Sequence, residues 1–252
     1  IPSVLLMGGG PLLGGILPTY ATIGAAAPAL LLVARLMQGF STGGQYGAAA
    51  TYLSEIAEPG KRGFYASFQF VTLIGGQLFA LLTVFLLQTA MSEEAIREWG
   101  WRIPFILGAV LAGVFLLFRD VMHETAEPAG KGEDAGSLKA LFRHPRAMLT
   151  VMVLSAAGAV TLYTFTTYMQ KYLVNTAGMD VASASRVILV VTFLFLLLQP
   201  VLGILSDRIG RRTNLLIFSG GMTLFAVPLL GAIGKVQTMW TAGLLVFAAL
   251  AI

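Results

Sequence analysis

Runs of apolar residues, each separated from the next by a short polar segment, occupy almost the whole chain. Most of the eight runs approach the length of about 20 residues that a helix needs to cross a bilayer. They cover residues 5–18, 28–56, 64–89, 103–118, 147–172, 183–205, 213–233 and 239 onward. The longest polar segment, residues 119–146, leaves four runs on each side. The pattern predicts an all-α, polytopic membrane protein, with helical bundles at residues 1–118 and 147–252 joined by a cytoplasmic loop at 119–146.

Composition supports the membrane class and excludes several others. The 252 residues are 57% hydrophobic and only 11% charged, with a mean hydropathy of +0.83. The net charge of +4 does not indicate nucleic-acid binding, because the basic residues lie between apolar runs and form no continuous patch. The sequence has no cysteine, which excludes disulfides and thiolate metal sites. Because no catalytic, metal-binding or phosphate-binding motif is present, we expect neither enzymatic activity nor a cofactor.

The second apolar run carries polar residues that a simple membrane anchor does not need. Arg35 lies well inside the run, and an arginine at bilayer depth usually faces a protein interior or a watery cavity. Gln38 and Gln45 follow it at helical spacing and share its face. This polar stripe predicts part of a binding site for an anion. The alternative is a structural Arg35 that pairs with backbone carbonyl groups between helices.

Small residues form a second face of the same run. Gly39, Gly43 and Gly47 repeat at every fourth position, a doubled G-x-x-x-G pattern. Such a pattern allows the backbone of a neighbouring helix to come close. We therefore predict that another helix packs along these three glycines.

The most structured polar segment is the turn GILSDRIGRR at residues 203–212, between two apolar runs. Gly210 can adopt the positive φ that a tight turn requires. Asp207 can accept hydrogen bonds from backbone N–H groups at the start of the helix that follows. The alternative is a basic loop that only fixes the topology of the membrane helices.

The distribution of basic residues predicts the orientation of the spans. If residues 57–63 are cytoplasmic, alternation of the spans leaves ten basic residues inside and five at the outer side, as the positive-inside rule favours. The ten are Lys61, Arg62, Arg119, Lys131, Lys139, Arg143, Arg146, Arg208, Arg211 and Arg212. The five are Arg97, Arg102, Lys171, Arg186 and Lys235, of which Arg186 is interpreted as a cation that reaches the interface.

The pattern G-x-x-x-D-R-x-G-R-R resembles the signature loop between helices eight and nine of the major facilitator superfamily, and it matches at every motif position. Within that superfamily, RLMQGFSTGGQYGAAATYLSE resembles helix four of the metabolite:proton symporters. GFYASFQFVTLIGGQL, REWGWRIPF and YTFTTYMQKYLVNTAGM are similar to segments of its dicarboxylate permeases. The resemblance implies that the eight runs are helices three to ten of twelve. Since the chain begins with Ile1 and stops inside an apolar run, we expect a fragment cut at both ends.

Two sets of candidate residues follow from the polar positions and from the resemblance. The predicted substrate-binding residues are Arg35, Gln38, Gln45, Gln69, Tyr163, Thr167, Gln170 and Lys171. The predicted gating residues are Glu55, Arg62, Asp207, Arg208, Gly210, Arg211 and Arg212. Simpler interpretations stay open for several of them. Gln170 and Lys171 can lie at the outer interface, Gln69 can bond a neighbouring helix, and Glu55 and Arg62 can be solvated loop charges.

The resemblance implies proton-coupled uptake of a dicarboxylate by alternating access, and 2-oxoglutarate is our first candidate. It implies a monomer in the bacterial cytoplasmic (inner) membrane, surrounded by lipid, with protons as the coupling ion. The alternatives are a symporter for proline/betaine, shikimate or citrate, and a membrane sensor that binds a metabolite without transporting it. Gln45 stands where the family usually has glutamate, so this position cannot carry a proton. No Asp, Glu or His lies in the middle of an apolar run, which leaves the proton carrier on the substrate or in another helix.

Overall fold

The computed structural model describes residues 2–18, 20–118, 142–236 and 238–252, and in these ranges the chain is helical throughout, without a strand. The first helices are α1 (Pro2–Ile16), α2 (Tyr20–Ile23), α3 (Ala26–Glu55), α4 (Arg62–Ala90), α5 (Glu93–Glu98) and α6 (Ile103–Phe118), with a 3-10 turn at Gly100–Arg102. The others are α7 (Pro145–Tyr163), α8 (Met169–Asn175), α9 (Val181–Ile209), α10 (Arg211–Ile233) and α11 (Met239–Ala251). All eight predicted runs are helices, which confirms the all-α prediction. The predicted loop lies outside the described residues except for 142–146.

One compact unit comprises Ile1–Glu58 and Phe79–Glu124. In it, α1 packs against both α3 and α6. The residues that α3 buries are Ala27, Ala34 and Ser41, which repeat every seven positions. Such spacing keeps them on one face of the helix, and their small side chains let α1 approach.

The predicted packing face of α3 has no partner among the described helices. A Cβ atom built on Gly39, Gly43 or Gly47 meets no other described atom within 4 Å, so no neighbouring helix approaches them in the described chain. The close contact comes instead from α1, where a Cβ on Gly10 would lie 3.0 Å from the Cβ of Gln38. Among the described helices, α1 thus contacts a different face of α3 from the one that the G-x-x-x-G pattern marks, and packing along the three glycines stays a prediction.

The other compact unit comprises Pro59–Leu78 and Thr125–Ile252. Its core forms where α9 packs against α11, with Ile188 and Val191 of α9 and Val246 of α11 almost fully buried. The π-helical turn Thr164–Tyr168 joins α7 to α8. Between membrane helices such a contact is stabilised by van der Waals packing of the side chains rather than by their removal from water. The predicted division into two bundles at the central loop remains a prediction.

Local sequence explains several helix ends. Ser92, Asp180 and Thr238 each accept a hydrogen bond from a backbone N–H in the first turn of α5, α9 and α11 respectively. The hydroxyl and backbone N–H of Ser183 both bond the Asp180 carboxylate and lower its pKa below the usual value. Gly210 separates α9 from α10 with φ of +87°, which confirms the predicted positive-φ turn.

Four helical segments are long and apolar enough to cross a membrane: Arg62–Ala90, Pro145–Asn175, Val181–Ile209 and Arg211–Ile233. In the described chain α3 is long enough but does not reach the same hydropathy, since its polar stripe interrupts the apolar run. Large apolar side chains such as Phe40, Val227 and Trp240 are more than three-quarters exposed. An exterior of this kind suits lipid rather than water as the surrounding medium.

Candidate functional site

Arg35 contacts two side chains within the unit that comprises Ile1–Glu58 and Phe79–Glu124, which we call the first unit. Its Nη1 donates a hydrogen bond of 2.9 Å to Oε1 of Gln38, one helical turn further along α3. Its Cζ lies 5.2 Å from the centroid of the Phe105 ring, on α6. A guanidinium carries five N–H donors, so donors remain for a ligand on this exposed side chain. The described contacts are with an amide and a ring, not with the backbone carbonyls of the structural alternative.

The other residues of the predicted polar stripe on α3 make no described contact with Arg35. Thr42 donates its hydroxyl to the backbone oxygen of Gln38, so it stabilises its own helix. Gln45 is half-buried on the same helix. Gln69, in the other compact unit, is also half-buried, and its backbone oxygen accepts a bond from Thr72. The structure thus brings Arg35 and Gln38 into direct contact, and Gln45 and Gln69 stay predicted ligands.

The predicted substrate-binding residues of the fifth apolar run, at residues 147–172, lie around the π-helical turn. Thr167 is in the turn itself, and its Oγ1 accepts a bond of 3.2 Å from Nε2 of Gln77 on α4. Gln170 donates to the hydroxyl of Ser185 on α9 at 2.8 Å, so it joins two helices. Tyr163 and Lys171 are exposed. A π-helical turn inside an α-helix is rare and often marks a functional region.

Asp207 connects two helices that are distant in the sequence. Its Oδ1 accepts a bond of 2.7 Å from the backbone N–H of Gly63, and its Oδ2 accepts one of 2.9 Å from that of Phe64. Arg211 adds an ion pair of 3.1 Å to Oδ1. The carboxylate therefore caps the start of α4, where the helix dipole favours negative charge. The prediction that Asp207 caps the following helix, α10, is wrong.

The helices meet closely beside this cap because both carry glycine. A Cβ on Gly63 would lie 2.6 Å from the backbone oxygen of Gly203, and a Cβ on Gly203 would lie 2.6 Å from the oxygen of Gly63. Real Cβ atoms do not approach an oxygen so closely. Ser67, one turn after Gly63, is also buried at this contact. Glycine at both positions is therefore what lets the backbone of α4 reach the carboxylate.

The remaining predicted gating residues lie at the ends of helices and face outward. Glu55 ends α3 and Arg62 begins α4, and both are exposed. Arg208 and Arg212 are exposed on either side of the turn at Gly210. Of the predicted gating side chains, Asp207 and Arg211 form the ion pair that the structure describes.

Three contributing residues escaped the sequence interpretation. Phe105 belongs to an apolar run of the sequence, but in the structure its ring faces the guanidinium of Arg35. Gln77 lies among apolar residues of α4, and its position directly after a pair of glycines was the available signal. Gly63 lies at the end of the polar segment 57–63, which gave no sign of its close contact with Gly203 on another helix.

Long apolar helices, a half-buried acidic cap between two of them and an arginine inside a third indicate a multi-pass membrane protein. The chain belongs to the Major Facilitator Superfamily, whose sequence model matches residues 1–252. This confirms the predicted fold class and the family resemblance.

The chain is 55% identical to the alpha-ketoglutarate permease of Escherichia coli over 251 residues, which cover 99% of the chain and 58% of the permease. It is 35% identical to the citrate-proton symporter of Salmonella typhi, over 89% of the chain and 52% of that protein. It is also 35% identical to the proline/betaine transporter of Salmonella typhimurium, over 85% of the chain and 45% of that protein. The chain thus spans about half the length of these relatives. No solved structure matches it significantly.

Proposed function

We propose that this chain supplies the central helices of a transporter that takes up a dicarboxylate together with protons, by alternating access in the cell inner membrane. The main support for the proposal is the environment of Arg35, which lies inside an apolar run. The Phe105 ring covers one face of its guanidinium, and Gln38 occupies one of its five N–H donors, so that donors remain for a ligand. The 55% identity to the alpha-ketoglutarate permease makes 2-oxoglutarate the first candidate substrate. We take the monomer, in contact with lipid, as the working unit.

The charge of the substrate explains why protons would be needed. A dianion that enters against an inside-negative potential must overcome about 4.6 kcal/mol per 100 mV, at about 2.3 kcal/mol for each charge. Two protons carried with it cancel that term and let the pH gradient drive accumulation, and each further proton would add the membrane potential to the driving force. In the described ranges no Asp, Glu or His lies in the middle of a helix that spans the membrane. The proposed proton carriers are therefore the substrate carboxylate and a residue outside the described ranges.

The proposed role of Arg35 is to bind one substrate carboxylate through two parallel N–H donors. A planar guanidinium fits a carboxylate in this way, whereas an ammonium acts as a point charge. Gln38 occupies one donor and orients the group. Tyr163, Thr167 and Lys171 remain predicted ligands in the second unit, while Gln170 is already engaged by Ser185.

The proposed gate is the contact of Asp207 with the start of α4. We propose that it forms when the cytoplasmic side is closed and breaks when that side opens, so that it stabilises the outward-open state. Arg211 is part of it, and Arg62, Arg208 and Arg212 supply further cations at the same end of the helices. Gly210 keeps the turn between α9 and α10 tight. Glu55 is proposed to pair with cations outside this chain.

Uptake into proteoliposomes by the full-length transporter tests the proposal. We expect accumulation of 2-oxoglutarate that requires an inward pH gradient and is strengthened by an inside-negative potential if more than two protons accompany the dianion. Arg35→Lys keeps the charge but loses the planar fork, and the KM should rise about 10- to 150-fold, as for one lost charge-assisted hydrogen bond. Arg186→Lys, on an exposed arginine near the start of α9, is the matched control and should keep the wild-type KM.

Each alternative gives a different result in the same assay. Stronger competition by citrate, shikimate or betaine than by 2-oxoglutarate would assign another solute, as the similarity to citrate and proline/betaine transporters allows. Saturable binding without uptake would indicate a sensor. Wild-type KM in Arg35→Lys would remove Arg35 from the site, and uptake that ignores the pH gradient would refute proton coupling.

A further inference from the structure

We propose that Phe105 is a positioning residue for substrate binding, which holds the Arg35 guanidinium by a cation–π contact so that its free edge faces the substrate carboxylate. The inference rests on the proposed function, since it assigns to Phe105 a part in the affinity of the same site. It concerns a side chain that would not itself touch the substrate. The contacts of four described helices and turns support it.

The first support is the division of the guanidinium surface among its neighbours. The ring of Phe105 lies 5.2 Å from Cζ of Arg35, within the range of about 6 Å in which a cation is attracted to the face of an aromatic ring. Gln38 takes one donor at the edge, at 2.9 Å from Nη1. One face and one donor are thus occupied, and the remaining N–H groups stay available. A carboxylate needs two parallel donors at the edge and no access to the covered face.

The second support is that glycines of α1 leave room for Gln38 and Phe105, the two side chains that contact Arg35. A Cβ on Gly10 would lie 3.0 Å from the Cβ of Gln38. A Cβ on Gly14, one helical turn later, would lie 3.0 and 3.1 Å from Cδ1 and Cε1 of Phe105. Glycine at both positions therefore leaves room for the amide on α3 and the ring on α6. The glycine-rich first run of the sequence has its explanation here.

The third support is an anchor on the far side of the ring. Phe105 packs edge-on against Trp101, with the ring centroids 5.9 Å apart at 86°. Arg102 lies over the Trp101 ring at 4.4 Å, and its Nη2 donates to the backbone oxygen of Leu17, just after α1. The Phe105 ring is thus fixed by α1 on one side and by the Trp101–Arg102 pair on another. A ring that cannot move restricts the guanidinium above it.

A restricted guanidinium binds its ligand with a smaller loss of side-chain freedom. A free arginine side chain loses rotamer entropy when it is held by a ligand, and a side chain ordered in advance has already lost it. The contact persists in the complex, because the guanidinium stays charged when it binds a carboxylate. The effect of Phe105 should therefore appear in the KM, while the maximal rate of transport, set by the conformational cycle, changes little.

The test is a set of Phe105 variants in the full-length transporter, with 2-oxoglutarate uptake as the measurement. Phe105→Leu keeps an apolar side chain but removes the aromatic face, and we expect the KM to rise about two- to fivefold. Phe105→Tyr keeps the face and should restore a KM close to wild type. Phenylalanine analogues with one, two or three ring fluorines at position 105 keep the shape and weaken the attraction stepwise, so log KM should rise with each fluorine. Phe68→Leu is the control, since Phe68 makes a comparable edge contact with Phe64.

A double-mutant cycle separates this inference from the proposed function. In an Arg35→Gln background, which has no cation to hold, Phe105→Leu should produce no further change in KM. An altered KM in Arg35→Lys together with an unchanged KM across the fluorinated series would overturn the positioning role and leave the site in place. An unchanged KM in Arg35→Lys would overturn both. A KM change in Phe105→Leu that Phe105→Tyr does not reverse, or that persists in Arg35→Gln, would show a packing effect and refute the cation–π contact.

Discussion

Replacing Asp207 with asparagine removes one negative charge from the start of α4 and changes the size of the side chain very little. The Asp207 side chain is 11% exposed, so water cannot readily replace the bonds that it loses. Its two oxygens accept from two backbone N–H groups and from Arg211. The amide keeps one acceptor oxygen and gains a donor that faces N–H groups. At least one of the three bonds must therefore be lost.

The size of the effect follows from these contacts. A hydrogen bond to a charged group contributes about 1.5–3 kcal/mol, and each 1.4 kcal/mol changes an equilibrium tenfold. If the cap exists in the outward-open state alone, losing one such bond shifts the population toward the inward-open state by about 10- to 150-fold. The interaction with the helix dipole adds to this loss, because the amide carries no net charge. We expect slower net uptake, with less effect on the intrinsic affinity of the substrate site.

Spin labels on the cytoplasmic ends of the helices can measure the shift. These 252 residues contain no cysteine, so in a full-length transporter whose other cysteines have been replaced, cysteines introduced at the exposed positions Pro59 and Thr213 can be labelled specifically. Asp207→Asn should move the distance distribution to longer values. Asp180→Asn is a matched control, because Asp180 caps the other end of the same helix, α9, through Ser183. Unchanged distances in Asp207→Asn would mean that the turn only fixes topology, and the gating role would be refuted.

Two further predictions concern close contacts between helices. Gly63→Ala places a Cβ 2.6 Å from a backbone oxygen of α9, so we expect reduced uptake and the same shift to longer spin-label distances as in Asp207→Asn. Gly76→Ala is the control and should behave as wild type, because a Cβ at that position has open space around it. Equal behaviour of the two variants would contradict the contact. Tyr172→Phe loses a bond of 3.0 Å to the oxygen of Leu230, which should lower the unfolding free energy by about 0.5–1.5 kcal/mol in thermal-shift measurements. Tyr20→Phe, on an exposed residue, should not change that free energy, and a Tyr172→Phe protein as stable as wild type would disprove the role of the bond.

The order of the helices and the turn at Gly210 follow from the sequence, because hydropathy and positive φ are properties of neighbouring residues. The Arg35–Gln38 pair could also be predicted, since side chains three positions apart meet on a helix. Asp207 could not be assigned its partner in this way. Gly63 lies 144 positions away, and spacing along the chain points instead to the nearest helix start. The same limit applies to Phe105, whose neighbour Arg35 is on another helix.

The π-helical turn at Thr164–Tyr168 has a consequence for comparing this chain with its relatives. A π-helical turn holds one residue more than the α-helical turn that it replaces, so the side chains after it are rotated by about 100° relative to an uninterrupted helix. A relative without the extra residue would need a one-residue gap here before Gln170 could be matched by position in space. Exchanging segments between such proteins at Tyr163 or earlier would carry the turn along unchanged. A junction placed inside the turn would instead swing Gln170 away from Ser185 and loosen α8 from α9.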